Sequence, residues 1–320
     1  MRKETKICLV VGAILVLLGS VIFAAVMTAY NWNFQNLSTV EYDTNAHTVK
    51  DAFSKISINT DTADILFAST EDNTCKIVCY EQENARHSVG AEDDTLSIRI
   101  VDEREWYEHI GITFGTPKIT VYLPESQYAS LLIKGSTGDV EISKDCKFES
   151  MDITVSTGDV VNHASATGCI NIQTSTGSIR TEDISAGSMY LTVTTGNVTV
   201  SNVKCNGGIS VYVSTGKANI SSVTCQSLIS DGSTGDITLT QVVARGGFSI
   251  GRSTGDIRLD RCDADAIYLE TDTGDVTGGL LSGKEFITHT GTGDVNIPKG
   301  SVGGKCTIRT GTGDIKITIQ

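Results

Sequence analysis

From Gly135 onward one short turn, S-T-G-D-V in its best-kept form, returns ten times. Its glycines are Gly138, Gly158, Gly177, Gly196, Gly216, Gly235, Gly255, Gly274, Gly293 and Gly313, each 19 or 20 residues from the next. A unit this small cannot bury an apolar face alone, so a chain built from it must stack its units. That requirement overrides the two-domain guess that 320 residues would otherwise invite.

Alignment on the glycine shows what each position does. Two residues after it, from Val140 to Ile315, every copy is apolar, and seven before it, from Leu131 to Cys306, every copy is apolar again. Five before it only Ser230 and Thr288 break an aliphatic column, and four after it only Asn162, Thr181 and Gly278 do. Offsets −7 and −5, then +2 and +4, are period-2 pairs, the mark of strands with one buried face. Each repeat is then strand, Gly turn, strand and return loop. The sequence predicts an all-β chain, a single-stranded parallel β-solenoid (β-helix) of ten rungs of 19–20 residues. With strands about 4.8 Å apart the ten rungs make a rod of roughly 43 Å. In the turn, Gly supplies a positive φ, Asp accepts from a turn amide, and the ten Thr are placed to ladder their hydroxyls.

Ahead of the repeats, residues 51–130 alternate irregularly. Thr60-Asp61-Thr62-Ala63-Asp64-Ile65 reads as a worn copy of the turn, and Ile119–Leu123 as a strand stopped by Pro124. This region is expected to cap the solenoid, because an open end exposes strand edges. No cap follows the last copy, so its end is expected either to stack on another molecule or to be finished by Ile317 and Ile319.

Ile7 to Tyr30 carries no charge, and as a helix its 24 residues cover about 36 Å, enough to span a bilayer. Arg2, Lys3 and Lys6 precede it and the next basic residue is Lys50. The positive-inside rule then places the N-terminus in the cytoplasm and the rest outside. The small-x-small pattern of a cleavage site is poor around Ala24–Ala29, which favours a retained transmembrane helix over a cleaved signal. Tyr30 and Trp32 fall where an interfacial aromatic belt would lie. The predicted organisation is a cytoplasmic tail (1–6), a transmembrane signal anchor (7–30), a polar linker (31–50), the capping region (51–130) and the repeats (131–320).

A formal charge of −13 disfavours nucleic-acid binding. The consecutive turn residues Asp236, Asp256, Asp275, Asp294 and Asp314 could share calcium, yet a turn-capping role explains them without metal. Of the nine cysteines, Cys75 and Cys79 are too far apart on one strand to bridge. Cys205 and Cys225 share an offset nine past their glycines and can stack, while Cys146, Cys169, Cys262 and Cys306 do not recur. Buried free thiols are the favoured account. His47, His87, His109, His163 and His289 share no offset, and no nucleophile elbow, zinc-helix or phosphate-loop motif is present. Arg258, Asp260, Arg261, Asp263 and Asp265 form one dense charged patch, and Trp106, Tyr107 and His109 among Glu103, Glu105 and Glu108 a candidate binding loop or cap. No residue is nominated as catalytic, cofactor-binding or metal-binding.

The serial turns, the worn Asn59-Thr60-Asp61 turn and the Ile119-Thr120-Val121-Tyr122-Leu123-Pro124 strand stop resemble the DUF4097-type family of adhesin-like bacterial envelope proteins, over about Phe53 to Gln320. The resemblance implies a cell-surface, non-enzymatic β-solenoid and supplies no catalytic residues; Ser178, Asn197 and Lys217 interrupt any acid ladder. The expected function is a membrane-anchored, extracellular structural or adhesin-like module, with cell-wall polymer or another envelope protein as partner. The alternatives are an envelope-stress or regulatory module working through a membrane partner, and a polysaccharide lyase or hydrolase using Asp263 or Asp265.

Overall fold

The ten turn glycines adopt φ between 122° and 149°, a region closed to side chains. The reason is the neighbouring rung: a Cβ on Gly196 would overlap the carbonyl oxygen of Gly177, and one on Gly216 that of Gly196. The glycine amide donates to the carbonyl of the adjacent rung's Thr, as Gly158 does to Thr176 at 2.9 Å. Thr therefore ladders through its backbone at this corner. The structure, a computed structural model, describes residues 3–33, 41–104 and 115–320.

On one wall, Gln127–Thr137, Lys147–Thr157, Ser165–Thr176, Ser185–Thr195 and Gly208–Thr215 pair in parallel, Thr opposite Thr. On the other, Val140–Ile142, Val160–Asn162, Ile179–Glu182, Val198–Cys205 and Ala218–Cys225 do the same. The four apolar columns face inward as the period-2 pattern requires, and one continuous core runs along the stack. Asn162, an exception at +4, is buried because its side chain caps a bend, accepting from Ala164 N at 3.0 Å and donating to Ala164 O at 3.1 Å.

A second corner was not visible in the repeat. Six residues after the glycine in copies three to seven stand Asp183, Asn202, Ser222, Gln241 and Arg261, all left-handed with φ between 49° and 58°. Unlike the Gly corner, this region admits L-residues at modest strain, so residue identity drifts there and leaves no motif.

Rung order departs from sequence order at both ends. Ile267–Thr273 of copy eight pairs with Cys306–Thr312 of copy ten, and copy ten pairs on its other side with Lys284–Thr292 of copy nine. The second wall agrees, with Val276–Leu280 beside Ile315–Ile319 and Val295–Asn296 outside it. The last copy is thus inserted beneath the ninth, and the open end is copy nine rather than Gln320. The apolar columns say why. Copy ten offers Cys306, Ile308, Ile315 and Ile317, all buried, whereas copy nine has Thr288 in a core column and Pro298 beside Ile297. Val295 of copy nine is 43% exposed, while the other nine residues of its column are buried. A proline and an uncommitted core suit an edge.

The proximal end mirrors this arrangement. The worn copy, Lys55–Thr62 and Asp64–Thr70, lies between copy one and a later segment, Thr95–Asp102 and Lys118–Pro124. Beyond it the direction reverses: Cys75–Gln82 runs antiparallel to Lys118–Pro124, and Ala85–Glu92 antiparallel to Thr95–Asp102. Reversal is what closes the cap. The polar stretch 31–50 is not all linker, for Tyr42–Val49 pairs antiparallel with Cys75–Gln82, with Val49 packed on the core.

Inside copy seven lies a charge that the core does not welcome. Arg252 is 4% exposed and its guanidinium occupies the room left by Gly232 on the adjacent rung. One nitrogen donates to Val213 O at 3.3 Å, while Nε and Nη2 are buried without a hydrogen-bond partner. Burial lowers its pKa, partly countered by Asp231. Replacing a buried, poorly paired charge with an apolar side chain of similar length stabilises by about 1–4 kcal/mol. Arg252→Met is therefore expected to raise the thermal midpoint; an unchanged or lower midpoint would show that the guanidinium is better satisfied than this.

The helix Lys3–Ala29 contains a 23-residue segment, Ile7–Ala29, apolar and long enough to cross a membrane, and exposed along its length except at Met27.

Candidate functional site

Two outward-facing features run the length of the rod: the turn column and the flat outer face of the first wall. In the turn column seven carboxylates bond the next rung. Asp64 Oδ1 accepts from Asp139 N, Asp139 from Asp159 N, Asp159 from Ser178 N, Asp236 from Asp256 N, Asp256 from Asp275 N, Asp275 from Asp314 N and Asp314 from Asp294 N, all at 2.7–3.2 Å. Asn197 keeps the same bond, to Lys217 N at 2.9 Å, so the change of residue does not break the cap there. The ladder follows spatial order, Asp275 to Asp314 to Asp294, which independently records the inserted last copy.

This geometry assigns the Asp column to structure. One oxygen of each linked carboxylate is committed to an amide, and the column's carboxylates do not converge: among the described residues the one cluster with metal-ligand geometry lies elsewhere. The amide of Asp256, with Lys217 and Arg258, holds the Asp236 carboxyl below its usual range. Lys217 contacts Asp236 at 3.3 Å and Arg258 contacts Asp256 at 2.6 Å, surface pairs of small energetic weight.

The outer face alternates with the core columns. Tyr190 stands opposite Ser210, Ser210 opposite Ile229, and Thr192 opposite Tyr212. Tyr190, Tyr212 and Ile229 thus stand on three successive rungs at mid-rod, exposed by 51%, 45% and 43%, in a patch shared with the polar Ser210, Thr192 and Asp231. The backbone beneath is pinned by the core on one side and by neighbouring rungs on both edges, so the patch has fixed geometry.

The charged patch near copy seven resolves into ion pairs. Arg261 meets Asp260 at 3.2 Å, and Asp263 meets the buried Lys284 at 2.6 Å and Ser282 Oγ at 2.9 Å. Asp263 is held below its usual range by Lys284 and Ser282 against the opposing effect of its own desolvation. Trp106, Tyr107, His109, Glu105 and Glu108 lie outside the described residues.

All nine cysteines are free, and seven are buried: Cys75, Cys79, Cys146, Cys205, Cys225, Cys262 and Cys306. Burial pushes the thiols of Cys75, Cys146, Cys225 and Cys306 up to about 12. Cys205 and Cys225 stack, since Lys204 is opposite Thr224, and both remain thiols.

Sequence reasoning missed a buried polar cluster in the cap. Glu81, on Cys75–Gln82, and His87, on Ala85–Glu92, face inward where the hairpin splays between the two walls. His87 Nδ1 lies 2.7 Å from Glu81 Oε2, its Nε2 lies 2.9 Å from Thr60 Oγ1, and Asn45 Nδ2 donates to Glu81 Oε1 at 2.8 Å. Cys79, two residues before Glu81, completes the group. These residues share no repeat offset, so the repeat gave no signal; the alternation Cys79-x-Glu81 on one strand face was the available one.

Comparison with known proteins bears on fold and family. A structure from Parabacteroides distasonis ATCC 8503, described as a candidate lipid binding protein, is 18% identical, with a TM-score of 0.50 over 74% of this chain and 94% of that one. A candidate adhesin from Bacteroides fragilis NCTC 9343 is 16% identical, with a TM-score of 0.41 over 87% of this chain and 97% of that one. Among curated proteins, none matches significantly. The sequence profile of the Toastrack DUF4097 family matches residues 53–209 and again 206–320, which together take in every rung and all of the cap except the strand Tyr42–Val49, and the chain belongs to that family.

Proposed function

We propose that the chain is a single-pass envelope protein, N-terminus in the cytoplasm, whose solenoid stands outside the plasma membrane as a rigid, non-catalytic contact surface of adhesin-like kind. The observation that carries this reading is the mid-rod patch of Tyr190, Tyr212 and Ile229, large apolar side chains held open on a flat face. Exposed aromatic groups on fixed backbone supply contact area at low entropic loss, and their faces suit sugar rings or apolar partner groups. The uncovered apolar helix supplies the anchor, and three basic residues before it set the orientation.

The test is binding of the full-length protein in lipid nanodiscs to intact cell walls, isolated wall polymers and anionic vesicles, each with calcium and with chelator. The vesicle arm is included because a protein of similar fold is described as lipid binding. Saturable binding is expected, weakened roughly tenfold or more in the Tyr190→Ser, Tyr212→Ser double variant. Chelator should leave it unchanged, because the Asp column is engaged by amides. Absence of binding in every arm would overturn the contact-surface reading.

A further inference from the structure

The geometry points to a transition-metal site of the zinc class in the cap, built from Cys79 Sγ, the Glu81 carboxylate and His87 Nδ1, and separate from the contact face. The three ligand atoms lie within 4.8 Å of one another, and all three residues are buried. Thiolate, imidazole and carboxylate together are a donor set suited to zinc or cobalt, and unsuited to calcium or magnesium, which take oxygen.

The surroundings match what a metal-ligating imidazole requires. His87 Nδ1 is hydrogen-bonded to Glu81 Oε2 at 2.7 Å, and the same oxygen accepts from the His87 amide at 2.7 Å; an ion would replace the ring's hydrogen bond by drawing the two ligand atoms slightly apart. Thr60 Oγ1 waits 2.9 Å from Nε2, able to donate to it in the metal-free state and to accept from Nε2–H once Nδ1 binds metal. That exchange of tautomer fixes the ring in either state. Asn45 orients the second carboxylate oxygen. His47, also in the cap, has a buried Nε2 with no hydrogen-bond partner and stands two residues along its strand from Asn45.

The proton and charge balance is favourable. Binding displaces the Cys79 thiol proton to solvent, moves the His87 proton from Nδ1 to Nε2, and leaves a dication facing one thiolate and one carboxylate, a neutral buried unit. An ion here would tie Cys75–Gln82 to Ala85–Glu92, the two arms of the splayed hairpin, beside the first rung at Thr60.

The experiment uses the full-length protein in detergent, purified under reductant and freed of metal, and titrated with cobalt(II) alone. One equivalent is expected to bind, with a thiolate-to-cobalt charge-transfer band in the near ultraviolet and tetrahedral ligand-field bands in the visible. Zinc should displace it and bleach both. Cys79→Ser should abolish the charge-transfer band, while Cys306→Ser, another buried thiol, should retain it. Glu81→Gln should weaken cobalt binding by about tenfold or more. A folded wild-type protein that shows no such band, or a Cys79→Ser protein that keeps it, overturns the site and leaves the cluster a hydrogen-bonded core network.

Discussion

Gly196→Ala is expected to destabilise the rod by about 3–5 kcal/mol, a loss large for a single methyl group. Two separate effects add. At φ 142° an alanine is strained wherever it sits, and its Cβ would also overlap the carbonyl of Gly177, a backbone atom held by its own rung. Relief would need the rungs to part, which breaks the bond in which the Gly177 amide donates to the Thr195 carbonyl. Because each rung contacts only its neighbours, the damage should be local first, seen as loss of amide protection in copies three to five before the global transition moves. Gly90→Ala is the matched control: it lies on a cap strand with open space where the Cβ would go, and should be neutral within about 0.5 kcal/mol. Equal effects from the two variants would refute the account of the turn.

Removal of residues 298–320 should cost two rungs, not one. If rungs stacked in sequence order, the deletion would shorten the rod by its last copy and leave copy nine seated. In the structure it takes away Gly304–Thr312 and Ile315–Ile319, the strands on which copy nine rests. It also uncovers Ile267, Leu269 and Val276 of copy eight. Loss of the buried Ile308, Ile315 and Ile317 removes roughly 1.5–3 kcal/mol each. Copy nine is a poor replacement, with Thr288 where copy ten has Ile308. The expected result is rapid proteolysis within 284–297 and a lower, broader unfolding transition. Resistance to proteolysis in that segment would show copy nine paired directly with copy eight.

The core was legible in the sequence because its determinants are short-range and repeated. Four apolar offsets and one glycine, each tied to a fixed place on the rung, specify strand, turn and facing without further information. Rung order was not legible, since every rung carries the same edge pattern and any copy can pair with any other. The discriminating features are single residues, Thr288 and Pro298, whose meaning as edge markers depends on the alternative that copy ten provides. The second corner was hidden for the opposite reason: left-handed φ tolerates Asp, Asn, Ser, Gln and Arg alike, so the column from Asp183 to Arg261 has geometry and no consensus.

The sites divide similarly. The Asp ladder was legible as a turn cap, and the structure adds that each cap reaches across to the next rung. The contact patch of Tyr190, Tyr212 and Ile229 draws on two outward offsets, six before the glycine for Tyr190 and Ile229 and four before it for Tyr212, and neither offset keeps one residue type through the ten copies, so no consensus marked it. The cap cluster joins Asn45, Thr60, Cys79, Glu81 and His87 through antiparallel pairing outside the repeat, where no periodicity exists to read.

Hydrogen exchange on the intact full-length protein tests the architecture most directly, since no substitution intervenes. A solenoid whose last copy is inserted between the eighth and the ninth predicts slow exchange in 304–319, with partners on both sides, and fast exchange in 284–296, which has a partner on one side only. The reverse ranking, with 284–296 slow and 304–319 fast, would contradict it and return the chain to a solenoid stacked in sequence order.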